Sequence, residues 1–319
     1  MRQGFRIRLR NSAHCHTSAS NSPSTLEQSA QVTSFINEQL AQGFMMEPID
    51  NQEEGAGIIT SPLAAIPKKA TGRWRIIVNL SHPEKASVND NLRRELTHVA
   101  YSFVEDATLL LGHLGQNTLM AKIDIQDAYR IIPIHPTDRW FLGIQWLGQT
   151  YMDKQLPFGL ASVLAIFSAV AEALEWVLQQ RGVCHVVHYL DDFLLLGTPA
   201  SPECQQALDT TTATCQELGA PLALEKIYGP STSLSFLGVI LDTATMSVQL
   251  PEDKLSSLRA LLDRFLCRKT VQDQRSLQSL VGHLVHATKV LPLGKAFLIY
   301  DPKHARPRPD TQAHSRGSG

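Results

Sequence analysis

The sequence predicts an α+β fold in which an antiparallel sheet packs on helices. Helical and strand patterns are mixed, without the regular strand-helix alternation of a doubly wound parallel sheet. Short apolar strands occur in pairs around tight turns, which predicts antiparallel hairpins. The apolar positions of residues 162–181 recur at helical spacing and stop at Gly182, which predicts a long helix with one buried face.

The elements follow from these patterns in chain order. Residues 26–43 form a helical pattern that ends at a glycine, and residues 57–66 and 73–80 alternate as two strands joined by a Lys-Lys-Ala-Thr-Gly turn. The other predicted elements are a strand over 120–125, a hairpin over 141–155, the helix over 162–181, strands over 183–189 and 193–196, a helix from Ser201 to Gly219, a hairpin over 233–250 and helices over 252–268 and 271–289.

The composition indicates a folded protein. With 319 residues, 43% of them hydrophobic, the chain has material for two domains or one multi-lobed domain. Its apolar runs are far shorter than a membrane helix needs, and its basic start lacks the apolar stretch of a secretory signal. The five cysteines form no Cys-x-x-Cys pair and resemble reduced thiols. We therefore expect an intracellular protein of the cytoplasm or nucleus, not secreted and with no membrane partner.

The net charge of −1 argues at first against a nucleic-acid partner, since such domains usually carry a basic surface. The charge is unevenly spread, however: residues 1–10 and 68–94 are basic, whereas residues 172–225 are acidic. The basic segments could bind a polyanion while the acidic one holds cations; two ordinary solvated faces are the alternative. Composition also predicts a disordered basic arm over 1–25 and a disordered tail over 301–319.

Three aspartates are the main candidates for chemistry. Asp191 and Asp192 lie at the tip of a predicted hairpin, a place where Asp is common for purely structural reasons. The second element is Asp124, because strand alternation places it on the opposite face from Ile123 and Ile125. If the strands bring Asp124 beside Asp191, the carboxylates could hold two divalent cations, which is the arrangement used for in-line phosphoryl transfer.

These motifs resemble the polymerase domain of a reverse transcriptase, most closely that of DIRS-like (tyrosine-recombinase) retrotransposons. The matching boxes lie at 67–69, 74–75, 87–90, 124–129, 156–160, 189–192, 224–230, 236–238 and 277–284. The resemblance covers about residues 26–300. It implies a right-hand polymerase fold, with fingers and palm over 26–250 and a helical thumb over 251–300.

The resemblance implies an RNA-directed DNA polymerase that extends a primer 3′-hydroxyl with dNTPs on an RNA or DNA template. It implies two Mg²⁺ ions, with Mn²⁺ as a substitute, held by Asp124, Asp191 and the backbone carbonyl of Ile125. Asp192 matches the supporting carboxylate, and Lys226 matches a lysine that protonates the departing pyrophosphate; a lone exposed lysine is the plain alternative. A ribonuclease H region, expected in a complete element, has no counterpart in this sequence.

Seven residues match nucleotide-binding positions of the family: Lys68, Arg75, Asp127, Ala128, Tyr129, Phe158 and Gly159. Lys68 and Arg75 match the clamp on the triphosphate, a role that suits a mobile ammonium and a forked guanidinium. Tyr129 matches the aromatic residue that excludes a ribose 2′-hydroxyl, although it could instead be an ordinary core tyrosine.

Three departures from the family pattern bear on activity. Val163-Leu164 replaces a small residue and Pro, Asn79 replaces an Asp, and Pro292-Leu293-Gly294-Lys295 replaces a Gly-Arg pair. Bulk at 163–164 could press on the nucleotide pocket. The alternative function is therefore an inactive retroelement remnant that only binds nucleic acid. An RNA-directed RNA polymerase is a third hypothesis, against which Tyr129 argues. His283 and His286 have too few partners for a zinc site.

Overall fold

The computed structural model describes residues 3–10, 20–48, 57–67, 74–93, 104–267 and 274–294. The helices in these ranges are α1 (Pro23–Glu27), α2 (Ser29–Ala41), α3 (Val104–Leu114), α4 (Val163–Gln180), α5 (Glu203–Leu218), α6 (Glu252–Cys267) and α7 (Gln274–Ala287). The strands are β1 (Leu63–Pro67), β2 (Trp74–Val78), β3 (Leu119–Asp124), β4 (Gly143–Trp146), β5 (Gln149–Met152), β6 (Val186–Tyr189), β7 (Asp192–Gly197), β8 (Tyr228–Ser231), β9 (Ser233–Phe236), β10 (Val239–Asp242) and β11 (Ser247–Gln249).

The largest sheet has the strand order β6-β7-β3-β8, and all its pairs are antiparallel. Strand alternation gives the sheet two apolar faces. Phe193 and Leu195 belong to the core under α4 and α5, whereas Leu194 and Leu196 pack with α3 and the β9–β10 hairpin. Because both faces are covered, β7 is a continuous apolar run instead of an alternating one.

Helix α4 begins and ends within one residue of its predicted bounds. Its apolar stripe packs into the main core, where Phe167, Ala171 and Leu178 are fully buried. Within the described ranges, α4 is also the one helix whose length and apolar composition would allow it to cross a membrane. The spacing of its buried residues accounts for that composition, since an amphipathic core helix needs the same apolar side chains.

The remaining hairpins and helices form two smaller groups outside the central sheet. The β1–β2 and β4–β5 hairpins share a small core with α2, in which Val32, Leu63 and Ile144 are buried. The β9–β11 sheet leads into α6 and α7, which pack on each other through a second small core. The predicted strand pairings over 57–80, 141–155 and 183–196 are confirmed, as are the two predicted helices over the described residues 252–267 and 274–287. The prediction of a two-stranded hairpin over 233–250 is wrong, because a turn at Leu237 and Gly238, both with positive φ, divides its first strand into β9 and β10.

Residues 4–10 and two elements of regular structure differ from the sequence-based expectation. The prediction of a disordered arm is wrong for residues 4–10, because Ile7 is buried and its N–H donates to Asp138 at 2.7 Å. A parallel bridge also joins Phe5 to Ile134. Helix α3 and strand β8 were not predicted; β8 contains a Gly-Pro pair, which is typical of turns and is tolerated only on a sheet edge. The predicted tail over 301–319 lies outside the described residues.

Candidate active site

The three predicted aspartates meet at one end of the central sheet. Leu190 and Asp191 form a two-residue turn between β6 and β7, and Leu190 adopts a φ of +54°, the positive angle that tight hairpin turns require. Asp192, the first residue of β7, pairs in register with Asp124, the last residue of β3. Directly opposed residues on antiparallel strands place their side chains close together, and like charges there destabilise the sheet. The fold therefore concentrates negative charge at this end.

Burial makes this charge costly. Desolvation raises the pKa of Asp191, and the nearby Asp124 carboxylate raises it further. Desolvation also raises the pKa of Asp192, although the positive charge of Lys122 opposes that shift. Carboxylates whose charged form is disfavoured in this way are stabilised by a nearby cation. The end of the sheet is thus an electrostatic site for positive charge.

One lysine already supplies part of that charge. The Lys226 ammonium donates hydrogen bonds to both carboxylate oxygens of Asp124, at 2.8 and 2.9 Å. The backbone is fixed at the same point, because Ala223 N–H donates to the Asp124 carbonyl at 3.0 Å. The hydrogen bond to Asp124 raises the pKa of Lys226, which keeps the ammonium protonated. The structure therefore brings Lys226 to Asp124, and the proton-donor role stays a prediction.

The oxygen atoms at this end fit a hard divalent cation. Ile125 N–H donates to the Asp191 carbonyl at 3.0 Å, which brings the Ile125 backbone to the Asp191 turn. In the described part of the chain, no three Asp, Glu, His or Cys side chains enclose a metal by themselves. Mg²⁺ in phosphoryl-transfer sites commonly takes one or two carboxylates and completes its shell with water and substrate phosphate. Asp124, Asp191 and the Ile125 carbonyl suit that pattern.

A large open cavity of about 1120 Å³ is lined by Gln126 and Asp127, which follow Asp124 in the chain, although none of the three aspartates lines it. Four of the predicted nucleotide-binding residues line it: Arg75, Asp127, Phe158 and Gly159. Tyr129 does not line the cavity, but its ring meets Phe158, which does, edge to face at 4.8 Å between ring centroids. Ala128 is buried in the short 3₁₀ helix Ala128–Ile131, so only its backbone can take part. Lys68 lies outside the described residues.

Gly159 is required by a close approach of two backbones. A Cβ atom built on it would lie 2.2 Å from the Val78 carbonyl oxygen. No larger residue fits there unless the 157–161 segment separates from β2, which also carries Arg75. The glycine therefore holds two walls of the cavity together.

Sequence reasoning missed a buried ion pair in the wall of the cavity. Arg130 donates from Nη2 to Asp153 at 2.7 Å and to Gln39 at 2.6 Å, and its guanidinium lies over the Phe44 ring. Burial raises the pKa of Asp153, while the Arg130 charge opposes the shift. Arg130 lies in an otherwise apolar, Ile-rich segment of the sequence. That isolated charge was the one sequence signal that could have indicated a buried ion pair. Arg130 and Asp153 both line the cavity, so the ion pair holds part of its wall together.

The described residues that depart from the family pattern do not line the cavity. Val163 is buried in the main core and Leu164 packs against it, so their bulk fills the core and not this cavity. The Asn79 side chain accepts a hydrogen bond from Ser81 N–H and stabilises a turn. At the thumb end, Leu293 is exposed, and Lys295 lies outside the described residues.

Comparison with known proteins agrees with this geometry. The family model described as reverse transcriptase (RNA-dependent DNA polymerase) matches residues 66–241, more than half of the chain. The chain belongs to the reverse transcriptase family. Members of this family use divalent metal ions, which is consistent with the donor set at the end of the sheet.

The relatives of this reverse transcriptase domain include viral polyproteins. It is 22% identical over 258 residues to the Pro-Pol polyprotein of feline foamy virus, covering 81% of this chain and 19% of the polyprotein. It is 26% identical over 227 residues to the Gag-Pro-Pol polyprotein of Mason-Pfizer monkey virus, covering 67% of this chain and 12% of that protein. The chain therefore spans about a fifth or less of these curated relatives.

Solved structures support the fold. A foamy viral protease-reverse transcriptase in complex with dsDNA superposes with a TM-score of 0.65 at 18% identity, covering 88% of this chain and 53% of that one. A foamy viral protease-reverse transcriptase in complex with an RNA/DNA hybrid also superposes with a TM-score of 0.65. The sequence identity is 16%, and the match covers 95% of this chain and 38% of that one. The predicted α+β polymerase fold of this reverse transcriptase domain is confirmed.

The Lys226–Asp124 pair gives a first prediction. In Lys226→Met the buried Asp124 carboxylate loses its cation, so we expect the thermal midpoint of the metal-free protein to fall by about 2–4 °C, a modest shift because the lysine is half exposed. Adding Mn²⁺ should restore it. Differential scanning calorimetry with and without Mn²⁺ measures both effects.

Lys122→Met is the matched control for this reverse transcriptase domain, since Lys122 acts on Asp192 only through its charge. An unchanged midpoint in Lys226→Met, or the same recovery in both variants, would contradict a direct Lys226–Asp124 contact.

Proposed function

We propose that this domain is an RNA-directed DNA polymerase that extends a primer 3′-hydroxyl with deoxynucleotides on an RNA or DNA template. The observation that carries the proposal is that Asp124, Asp191 and Asp192 meet at one end of the central sheet, while Asp127, three residues after Asp124, lines a cavity together with Arg75. A carboxylate cluster next to a cavity with a guanidinium suits a triphosphate and its counterions. Complexes of the foamy viral relatives with dsDNA and with RNA/DNA hybrid support a template-primer as the partner.

The proposed cofactor is Mg²⁺, bound as two ions, with Mn²⁺ as a substitute. Asp124, Asp191 and the Ile125 carbonyl would hold the metal, and Asp192 would support them. When bound, such ions activate an attacking hydroxyl and neutralise charge on a transferring phosphoryl group.

The side chains of this chain perform the remaining tasks. Arg75 is placed to fork onto the phosphate oxygens of an incoming nucleotide, and the backbone at 127–129 lines the triphosphate. Lys226 is protonated and lies beside Asp124, so it can deliver a proton to the departing pyrophosphate. Phosphoryl transfer needs little covalent participation from the protein, so alignment and charge supply most of the acceleration.

A primer-extension assay on an RNA template tests the function. We expect dNTP incorporation with Mg²⁺ and none with EDTA. Template binding without incorporation would instead identify an inactive remnant, and incorporation of ribonucleotides would identify an RNA polymerase. The finer assignment to DIRS-like elements rests on the 87–90 motif. Sequencing the flanking locus tests it, since a DIRS-like origin requires a tyrosine recombinase and a ribonuclease H region nearby.

Tyr129 gives a second prediction, on sugar selection. Its ring is held edge to face between Phe158 and Phe167, at 4.8 and 5.3 Å, and is therefore fixed against Phe158, which lines the cavity. We expect Tyr129→Val to accept ribonucleotides at least about tenfold better relative to dNTPs, because a side chain that excludes one group is worth ~1–3 kcal/mol. The ratio of kcat/KM for dGTP and rGTP measures the change.

Tyr129→Phe is the control, because it keeps the ring and removes only the hydroxyl. If Tyr129→Val and Tyr129→Phe select sugars equally, the ring does not contact the ribose.

A further inference from the structure

A short segment next to the cavity is held by its own hydrogen bonds. Residues 87–90 form a closed loop in which the Ser87 hydroxyl donates to Asp90 at 2.7 Å and accepts from Asp90 N–H at 3.1 Å. The Asn91 side chain donates to the Ser87 carbonyl, and Val88 and Leu92 are buried in the main core. Anchored in this way, the segment is a rigid base for any side chain that it projects.

The side chain that it projects towards the cavity is Asn89. Its Nδ2 donates to the Gly159 carbonyl at 2.9 Å and to the Ser81 hydroxyl at 2.9 Å, and its Oδ1 accepts from Ala161 N–H at 2.8 Å. A primary amide has two N–H donors and one carbonyl acceptor, so each of these groups has a partner. An ionised aspartate side chain accepts hydrogen bonds but cannot donate them, and an alanine side chain can neither donate nor accept. The contact therefore requires an amide of this length.

The segment to which Asn89 hydrogen-bonds, residues 158–161, forms part of the cavity wall. Gly159 is pressed against the Val78 carbonyl on its other side, and Asn89 N–H donates to the Leu80 carbonyl at 3.0 Å. The segment is thus fixed between the end of β2 and the Asn89 amide. Phe158, which is 69% exposed, projects from it against Tyr129.

We propose that Asn89 is a positioning residue that fixes the 158–161 segment against β2 and so sets the width of the nucleotide cavity. The inference rests on the proposed polymerase function. Asn89 acts through Phe158 and Gly159 and does not itself line the cavity. Loss of the amide frees the wall without removing any group that contacts the nucleotide, so nucleotide binding weakens more than turnover.

Steady-state kinetics with an RNA template-primer tests the proposal in Asn89→Ala and Asn89→Asp. Both variants should raise the dNTP KM about tenfold, the equivalent of ~1.4 kcal/mol, and change kcat less. Ser81→Ala is the matched control: it removes one partner of the same Nδ2 and leaves the contacts to Gly159 and Ala161, so its KM should stay within about twofold. Thermal midpoints of all variants identify any that unfold.

Hydrogen exchange at the Ala161 amide provides a readout that does not depend on activity. Protection should fall in Asn89→Ala and persist in Asn89→Asp and Ser81→Ala, because an aspartate oxygen can still accept from Ala161 N–H. Equal protection in all four proteins, or an unchanged KM in both Asn89 variants of an active enzyme, would overturn the proposal. If the wild type incorporates no nucleotide, the proposed function fails, and exchange still decides whether Asn89 holds the segment.

Discussion

Replacing Asp191 with asparagine is expected to abolish dNTP incorporation, by at least about a thousandfold. Asn keeps the shape of the side chain and removes the charge, and a bound divalent ion contributes several kcal/mol of charge stabilisation to phosphoryl transfer. Single-turnover primer extension with saturating Mg²⁺ and template-primer measures the loss. Because burial disfavours the charged form of Asp191, the variant should fold at least as stably as the wild type.

Asp209→Asn is the matched control for Asp191→Asn. Asp209 is exposed on α5 and hydrogen-bonds only to Gln205 among the contacts described. Its removal should leave incorporation unchanged. Retention of more than about a tenth of the activity in Asp191→Asn would exclude Asp191 from the metal site, since loss of a metal-binding charge costs far more.

Removing the buried cation at the cavity wall is expected to have the largest effect on stability. In Arg130→Met the Asp153 carboxylate, which is 2% exposed, keeps its charge and loses its partner. Breaking a buried pair from one side costs roughly 3–5 kcal/mol. Urea unfolding should therefore show a large fall in midpoint. Replacing both partners, in Arg130→Met with Asp153→Asn, should recover most of it, because no buried charge remains.

The pH dependence separates this explanation from simple loss of packing. Burial already raises the pKa of Asp153, and removal of Arg130 raises it further. A group with a raised folded-state pKa favours the fold while protonated and loses that contribution as the pH rises through its folded-state pKa. The stability deficit of Arg130→Met should thus be constant above that folded-state pKa and shrink as the pH falls below it towards the ordinary pKa of an aspartate, and the double variant should lack this trend.

Arg181→Met removes an exposed ion pair with Glu217 and should change stability little at any pH. If the stability that Arg130→Met loses does not depend on pH, then packing of Arg130 against Phe44 matters more than its charge.

Local sequence patterns were sufficient for much of the fold. The alternation in Lys122-Ile123-Asp124-Ile125 placed both isoleucines in the core and Asp124 on the other face, because side chains alternate strictly along a strand. The stripe on α4 and the Gly219 cap of α5, with a φ of +71°, were equally predictable.

Prediction failed where tertiary contacts override local composition. Strand β8 contains Gly229 and Pro230, and only its place on the edge of the sheet permits pairing. Residues 4–10 are rich in arginine, yet Ile7 is buried because Arg6 and the Ile7 N–H share the Asp138 carboxylate. Neither partner is visible from the composition of the segment.

For the site, the sequence alone determined the chemical groups: two carboxylate motifs, a basic fingers segment and an aromatic residue in the order of the reverse transcriptase family. The tertiary structure decided how they act on one another. It opposed Asp124 to Asp192 across two strands, placed Lys226 on Asp124, buried Arg130 with Asp153 and fastened Gly159 to Asn89. These pairs join residues far apart in the chain, and their energies depend on distance and burial, which no local pattern encodes.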